Sequence, residues 1–191
     1  MKYSDQPRKE VAQALSSIEA MKKSFSLDEF EENWKSFLRH IERIWNKVAH
    51  HYGKSPKWNG WKGKYEQLRK KDPLLSYFIN ARGAEEHTVN EIVSRDPGGI
   101  GINPAEGNSL YIEKMTINNG NITVKSPQKI RVDFIPAKTK LVPVLNRGRT
   151  YPVPETHLGN KIDSTNVIEV AEHGARFYVS FLNDVEAYFV K

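Results

Sequence analysis

A chain of 191 residues can bury one sizeable hydrophobic core or at most two small ones, and a content of 38% hydrophobic and 27% charged residues is that of a globular protein. It has no cysteine, which excludes disulfides and thiolate metal sites, and no run of about 18 apolar residues, which excludes a helical membrane span. The formal charge of +6 makes an anionic partner reasonable, and with a polar stretch of mixed charge at residues 1–10 in place of an apolar signal segment, a cytoplasmic location is the expectation.

In chain order, the first predicted helix covers residues 6–23, where Val11, Leu15, Ile18 and Met21 recur at three- and four-residue steps as one stripe. Ser26 and Glu29 then form an S-x-x-E capping box. The strongly amphipathic helix behind it carries Phe30, Trp34, Phe37, Leu38, Ile41, Ile44, Trp45 and Val48, and ends near Gly53, where a left-handed residue is expected. Pro56, Gly60 and Gly63 mark residues 55–63 as a loop, followed by a short helix over residues 64–70. Asp72 and Pro73 supply an N-cap and a first-turn proline for a helix running to about Ser94, whose apolar positions include Leu74, Leu75, Phe78, Val89, Ile92 and Val93.

The period then changes. Pro97-Gly98-Gly99-Ile100-Gly101 reads as a flexible connector, without the spacing of a phosphate loop. Residues 110–117 and 121–125 read as two strands around the tight turn Asn118-Asn119-Gly120. Ile130, Val132 and Phe134 alternate with charged residues as a half-exposed strand would, and Pro143 marks residues 140–145 as a weaker edge strand. After a proline-bearing stretch at residues 151–159, Val170, Phe177, Phe181, Val185 and Phe189 mark a helix from about residue 165 to the end. Its broad apolar face has no local cover, so the expected architecture is one mainly α domain. Helices at residues 5–95 and about 165–190 form a bundle, and a small β-hairpin or sheet insertion at about 108–146 precedes the C-terminal helix.

The chemistry concentrates at Ala81-Arg82-Gly83-Ala84-Glu85-Glu86-His87, an R-x4-H motif within a predicted helix. Cleaving RNA without a metal requires a proton taken from a 2′-hydroxyl and another delivered to the leaving oxygen, which suits histidine near neutral pH. Charge growing on the phosphate oxygens suits a guanidinium. A helical bundle bearing this motif on an inner helix resembles the HEPN superfamily. The resemblance covers the helical order of residues 6–94 and, more loosely, the last helix. It implies a HEPN-like antiparallel bundle, a homodimer whose site draws on both chains, and a metal-independent endoribonuclease of toxin or defence type. It implies no cofactor, with an antitoxin or other protein as a further partner. Arg82 would stabilise phosphate charge, His87 would transfer protons and Glu86 would orient them. Members of the family often carry a polar residue after the arginine, where this chain has Gly83. Positions 82 and 87 differ by about 140° around a straight helix, so one site needs a bend at Gly83 or a second subunit. The competing expectation is a non-catalytic binding or interaction module of the same architecture. In it Arg82 pairs with Glu85 or Glu86, and the β segment recognises a partner.

A second constellation interleaves Lys54, Lys57, Lys62, Lys64, Arg69, Lys70 and Lys71 with Trp58, Trp61 and Tyr65. Lysines neutralise phosphates and rings stack bases, so Lys62, Lys64, Arg69, Lys70 and Lys71 are candidate RNA contacts. Equally, the rings close the bundle while the lysines face solvent. Arg147 and Arg149, flanking Gly148, form a smaller basic patch. His50 and His51 are adjacent and diverge on a helix, with no carboxylate at ligand spacing, so no metal is expected. His157 and His173 have no partner at a readable spacing and are expected to be structural or exposed.

Overall fold

The structure is a computed structural model that describes residues 1–87 and 93–190, with the side chains of all of these except 85–87 and 95. It divides into two compact units, Met1–Ser94 with Thr139–Lys191, and Arg95–Lys138 inserted between them. The sequence predicts one domain with an insertion at about 108–146; the inserted unit begins earlier and ends sooner.

The first unit is helical: α1 (Gln6–Lys23), α2 (Leu27–Tyr52), α3 (Trp58–Lys71), α4 (Pro73–His87) and α5 (Val167–Phe189). The chain starts α2 as its capping box predicts. The Glu29 N–H donates to the Ser26 hydroxyl at 3.1 Å, and the Glu29 carboxylate accepts from the Phe25 N–H at 3.0 Å, one residue earlier than in the reciprocal pattern. Gly53 ends α2 with a right-handed φ of −58°, not the left-handed cap expected of it. The α1 stripe runs through Val11, Ala14, Ile18 and Met21, leaving Leu15 44% exposed and off the seam. Residues 58–63, expected as loop, form the first turns of α3, because Trp58, Trp61 and Tyr65 find aromatic partners that outweigh two helix-interior glycines.

Polar ties fix the directions of the helices. Arg8 on α1 donates to Glu186 on α5 at 2.8 Å, while Lys22, at the other end of α1, pairs with Glu172 at 2.8 Å, so the two helices run antiparallel. The same logic sets α1 against α2. Glu10, 5% exposed, accepts from Lys47 at 2.7 Å and His40 at 2.6 Å, and the Ser17 hydroxyl donates to Ser36 at 3.2 Å. Burial alone would raise the Glu10 pKa; hydrogen bonds from Lys47 and His40, with Arg43 nearby, hold it below the usual value. Tyr65 and Arg69 of α3 reach Asp184 and Tyr178 of α5, again in opposite order. An antiparallel helical bundle results, with Trp34, Phe37, Ile44, Leu74, Phe78, Phe181 and Val185 at its centre.

At Gly174 the α4 and α5 helices come together most closely: a Cβ there would lie 2.1 Å from the Phe78 ring. Gly174→Ala is therefore expected to lower the unfolding free energy by about 1–3 kcal/mol, as overpacked cores do. Urea denaturation reads the change.

The helix predicted to reach Ser94 ends as described at His87. Val93 and Ser94 belong to β1 (Val93–Asp96), and Val89 and Ile92 lie outside the described residues. β1 pairs with β6 (Lys138–Leu141). The inserted unit contains β2 (Gly99–Pro104) paired antiparallel with β5 (Ile130–Ile135), and β3 (Lys114–Asn118) paired with β4 (Asn121–Lys125). The Asn118-Asn119-Gly120 turn closes the second ribbon as predicted, with φ of 48° at Asn119 and 80° at Gly120. The expected connector at residues 97–101 instead enters β2, through Gly98 at φ +70°, where a Cβ would lie 2.4 Å from the Ile135 carbonyl oxygen. Pro143 does not interrupt one edge strand but separates β6 from β7 (Val144–Asn146), which pairs with β8 (Arg149–Tyr151). β9 (Thr156–His157) and β10 (Asn160–Lys161) form a last small hairpin. Among the described residues, no helix is long and apolar enough to cross a membrane.

Candidate nucleic-acid interface

Helix α4 begins where Asp72 accepts from the Leu75 N–H at 3.0 Å, and it continues through Gly83 to His87. Arg82 and His87 therefore belong to one helix, near its C-terminal end. Leu74, Leu75, Tyr77, Phe78, Ala81 and Ala84 are buried and seat α4 inside the bundle, leaving Arg82 half-buried. The side chains of Glu86 and His87, the other two candidate catalytic residues, lie outside the described residues.

The β7–β8 hairpin lies across this part of α4. The Asn146 side-chain amide donates to the Asn80 oxygen at 3.0 Å, and a Cβ on Gly83 would lie 2.7 Å from the same amide nitrogen. Gly83 is thus a docking position: it lets a strand from 60 residues downstream lie against the helix. Tyr77 adds a further tie, donating from its hydroxyl to the Val142 carbonyl at 2.8 Å. The docked hairpin turns at Arg147 and Gly148, both with positive φ, as a two-residue hairpin of right-handed twist requires. That turn holds Arg147 and Arg149, both exposed, with Arg149 5.4 Å from the Tyr151 ring centre. Arg147 and Arg82 are each the immediate neighbour of a residue in the Asn146–Gly83 contact. Two basic elements far apart in sequence therefore meet at one end of α4.

The basic-aromatic stretch resolves differently. Trp58 and Tyr65 are each 5% exposed, and Trp61 packs against Trp58, Tyr65 and Phe189 with ring centres 5.6, 4.7 and 5.3 Å apart. These rings close the bundle and offer no platform for stacking bases. Arg69, a candidate RNA contact in the sequence, is 7% exposed; it donates to Glu42 at 2.8 Å and to the Tyr178 hydroxyl, with its guanidinium 4.6 Å from the Trp45 ring. Burial pushes the Tyr178 hydroxyl up to about 12, so at neutral pH it accepts as a neutral phenol. Arg69 is a structural residue and has no surface to give to RNA. Lys62 pairs with Glu66 at 3.0 Å, Lys64 sits 4.6 Å from the Tyr65 ring centre, and Lys64, Lys70 and Lys71 are exposed. These lysines form a solvated basic face without aromatic partners.

Among the described residues, no three His, Cys, Asp or Glu side chains converge as a metal-binding group. Compared with known proteins, the chain matches no family model, no curated protein and no solved structure.

Proposed function

We propose that this chain is an RNA-acting protein of HEPN-like architecture, working as a homodimer and as a metal-independent endoribonuclease of toxin or defence type, with its site at the C-terminal end of α4. The observation that carries this reading is the seating of Asn146 against Gly83, which brings Arg147 and Arg149 to the helix that bears Arg82 and His87. Three guanidinium groups from two segments suit a chain of phosphates better than they suit a neutral ligand.

In this reading Arg82 stabilises the charge that develops on the scissile phosphate, and Arg147 and Arg149 hold its neighbours. His87 removes the 2′-hydroxyl proton as the 2′-oxygen bonds to phosphorus, and the bond to the 5′-oxygen breaks. The leaving oxygen then takes up a proton, from the same imidazole or from that of the second chain. Glu86 orients the histidine. The exposed Lys64, Lys70 and Lys71 add attraction without sequence preference. An antitoxin that covers the arginines would be the regulatory partner.

Cleavage of single-stranded and transfer RNA in excess EDTA, by the wild type and a His87→Ala variant, tests the reading. The expected result is cleavage by the wild type and at least a hundredfold loss in a variant of unchanged stability, as general acid–base residues typically contribute about that much or more. No cleavage by either, or equal cleavage by both, overturns the catalytic assignment.

The second reading, an interaction module without catalysis, is favoured by the inserted unit. The register of its ribbons puts Ile100, Ile102, Pro104, Ile130, Val132 and Phe134 on one face, and Met115, Ile117, Ile122 and Val124 on one face of the other. Phe134 is 78% and Ile117 66% exposed. Two-stranded ribbons with a bare apolar face are marginal in water and gain stability against a partner chain.

A further inference from the structure

Asp72 does more than cap α4. Its carboxylate also accepts from the Leu158 N–H at 2.7 Å and bonds His157 Nδ1 at 3.0 Å, in a pair whose side chains are 4% and 8% exposed. The β9–β10 hairpin is thereby held onto the α3–α4 junction, with Leu158 in the left-handed region at φ 49°. With Nδ1 committed to Asp72, the imidazole orientation is set by the fold. The ring centre lies 6.1 Å from that of His173 on α5 and 5.9 Å from Phe177.

These residues border a cavity of about 350 Å³ whose lining includes His157, His173, Arg176 and Ser180, with Tyr65 and Phe177 among its aromatic walls. No carboxylate lines it. Glu172, the nearest counter-charge to Arg176, is 3.9 Å from that guanidinium and is engaged at 2.8 Å by Lys22. Glu169 stands 3.7 Å from His173, at the long end of an ion pair. The lining is thus rich in donors, cationic in balance and flanked by flat apolar rings, in the size range of small-molecule sites. No metal-binding group of three ligands exists among the described residues, so the donors are not arranged for a cation.

We propose that this cavity binds a small aromatic phosphate of mononucleotide size: the phosphate faces Arg176, His173 and the outward edge of His157, and the planar ring lies against Tyr65 and Phe177. The proposal does not rest on the RNA reading of the α4 site. Asp72 is a positioning residue here, since it acts through His157.

Titrating the wild-type chain with adenosine and uridine 5′-monophosphates, while following the imidazole C–H resonances by NMR, tests it. Uridine and inorganic phosphate serve as controls. The expected result is saturable shifts of the His157 and His173 resonances and at least tenfold weaker binding of each control. Arg176→Ala and His173→Ala, both on an accessible helix face and expected to keep the wild-type denaturation midpoint, should each weaken mononucleotide binding at least tenfold. Arg147→Ala/Arg149→Ala should leave it unchanged. Absence of shifts in the wild type, or variants of Arg176 and His173 that bind as it does, would overturn the proposal. Loss of binding in the Arg147/Arg149 variant would move the ligand to the α4 site and overturn it equally.

Discussion

Replacing Arg69 by alanine should destabilise the helical unit by about 3–5 kcal/mol, the usual cost of breaking a buried ion pair from one side. Three contacts disappear together: the 2.8 Å bond to Glu42, the bond to the Tyr178 hydroxyl and the stacking over Trp45 at 4.6 Å. The cost comes less from the lost attraction than from what stays behind, a poorly solvated Glu42 carboxylate and a buried phenol with no donor. Arg69→Met, paired with Glu42→Gln, should recover much of the loss, because both charges leave together. Thermal and urea denaturation of the three proteins measure this. An Arg69→Ala variant with wild-type stability and selectively weakened RNA binding would contradict the structural role.

Asp72→Ala should cost about 3 kcal/mol. The helix cap contributes about 1 kcal/mol and the buried hydrogen bonds to His157 and the Leu158 N–H the remainder. Burial alone would raise the Asp72 pKa, but the hydrogen bonds from His157, Leu158 and Leu75 outweigh it and hold the carboxyl below its ordinary value. A carboxyl depressed in the folded state stabilises above its unfolded pKa, near 4, and loses that contribution as pH falls through its lower folded value. The stability gap between the wild type and Asp72→Asn should therefore be full at neutral pH and narrow below about pH 4. A gap that stays constant down to pH 2 would show that the ionised carboxylate contributes nothing.

Much of the bundle is legible in the sequence because its signals are local. The α1 and α5 periodicities, the Ser26–Glu29 cap, the Asp72-Pro73 start and the Asn119-Gly120 turn each sit within a few residues of the structure they specify. What the sequence hides depends on distant partners. Pro56, Gly60 and Gly63 read as a loop, but aromatic packing against Trp45, Phe181 and Phe189 makes Trp58 the first residue of α3. The two-residue strands at Thr156 and Asn160 carry no pattern of their own; their place comes from Asp72, about 85 positions earlier. Of the candidate site, Arg82 and the Arg147–Arg149 patch are both visible as basic residues, but nothing local says that they meet. Gly83 was the available signal: a helix-interior glycine costs about 1 kcal/mol, and its compensation is the close approach of Asn146.

The central claim is that Arg82 and Arg147 serve one phosphate-binding site, and a double-mutant cycle tests it most directly. Single-stranded RNA affinity would be measured at fixed salt for the wild type, Arg82→Ala, Arg147→Ala and the double variant, each checked for an unchanged denaturation midpoint. One shared site predicts that both single variants weaken binding and that their losses couple by about 1 kcal/mol or more. Single variants without effect on affinity, or losses that add to within about 0.5 kcal/mol, would contradict it.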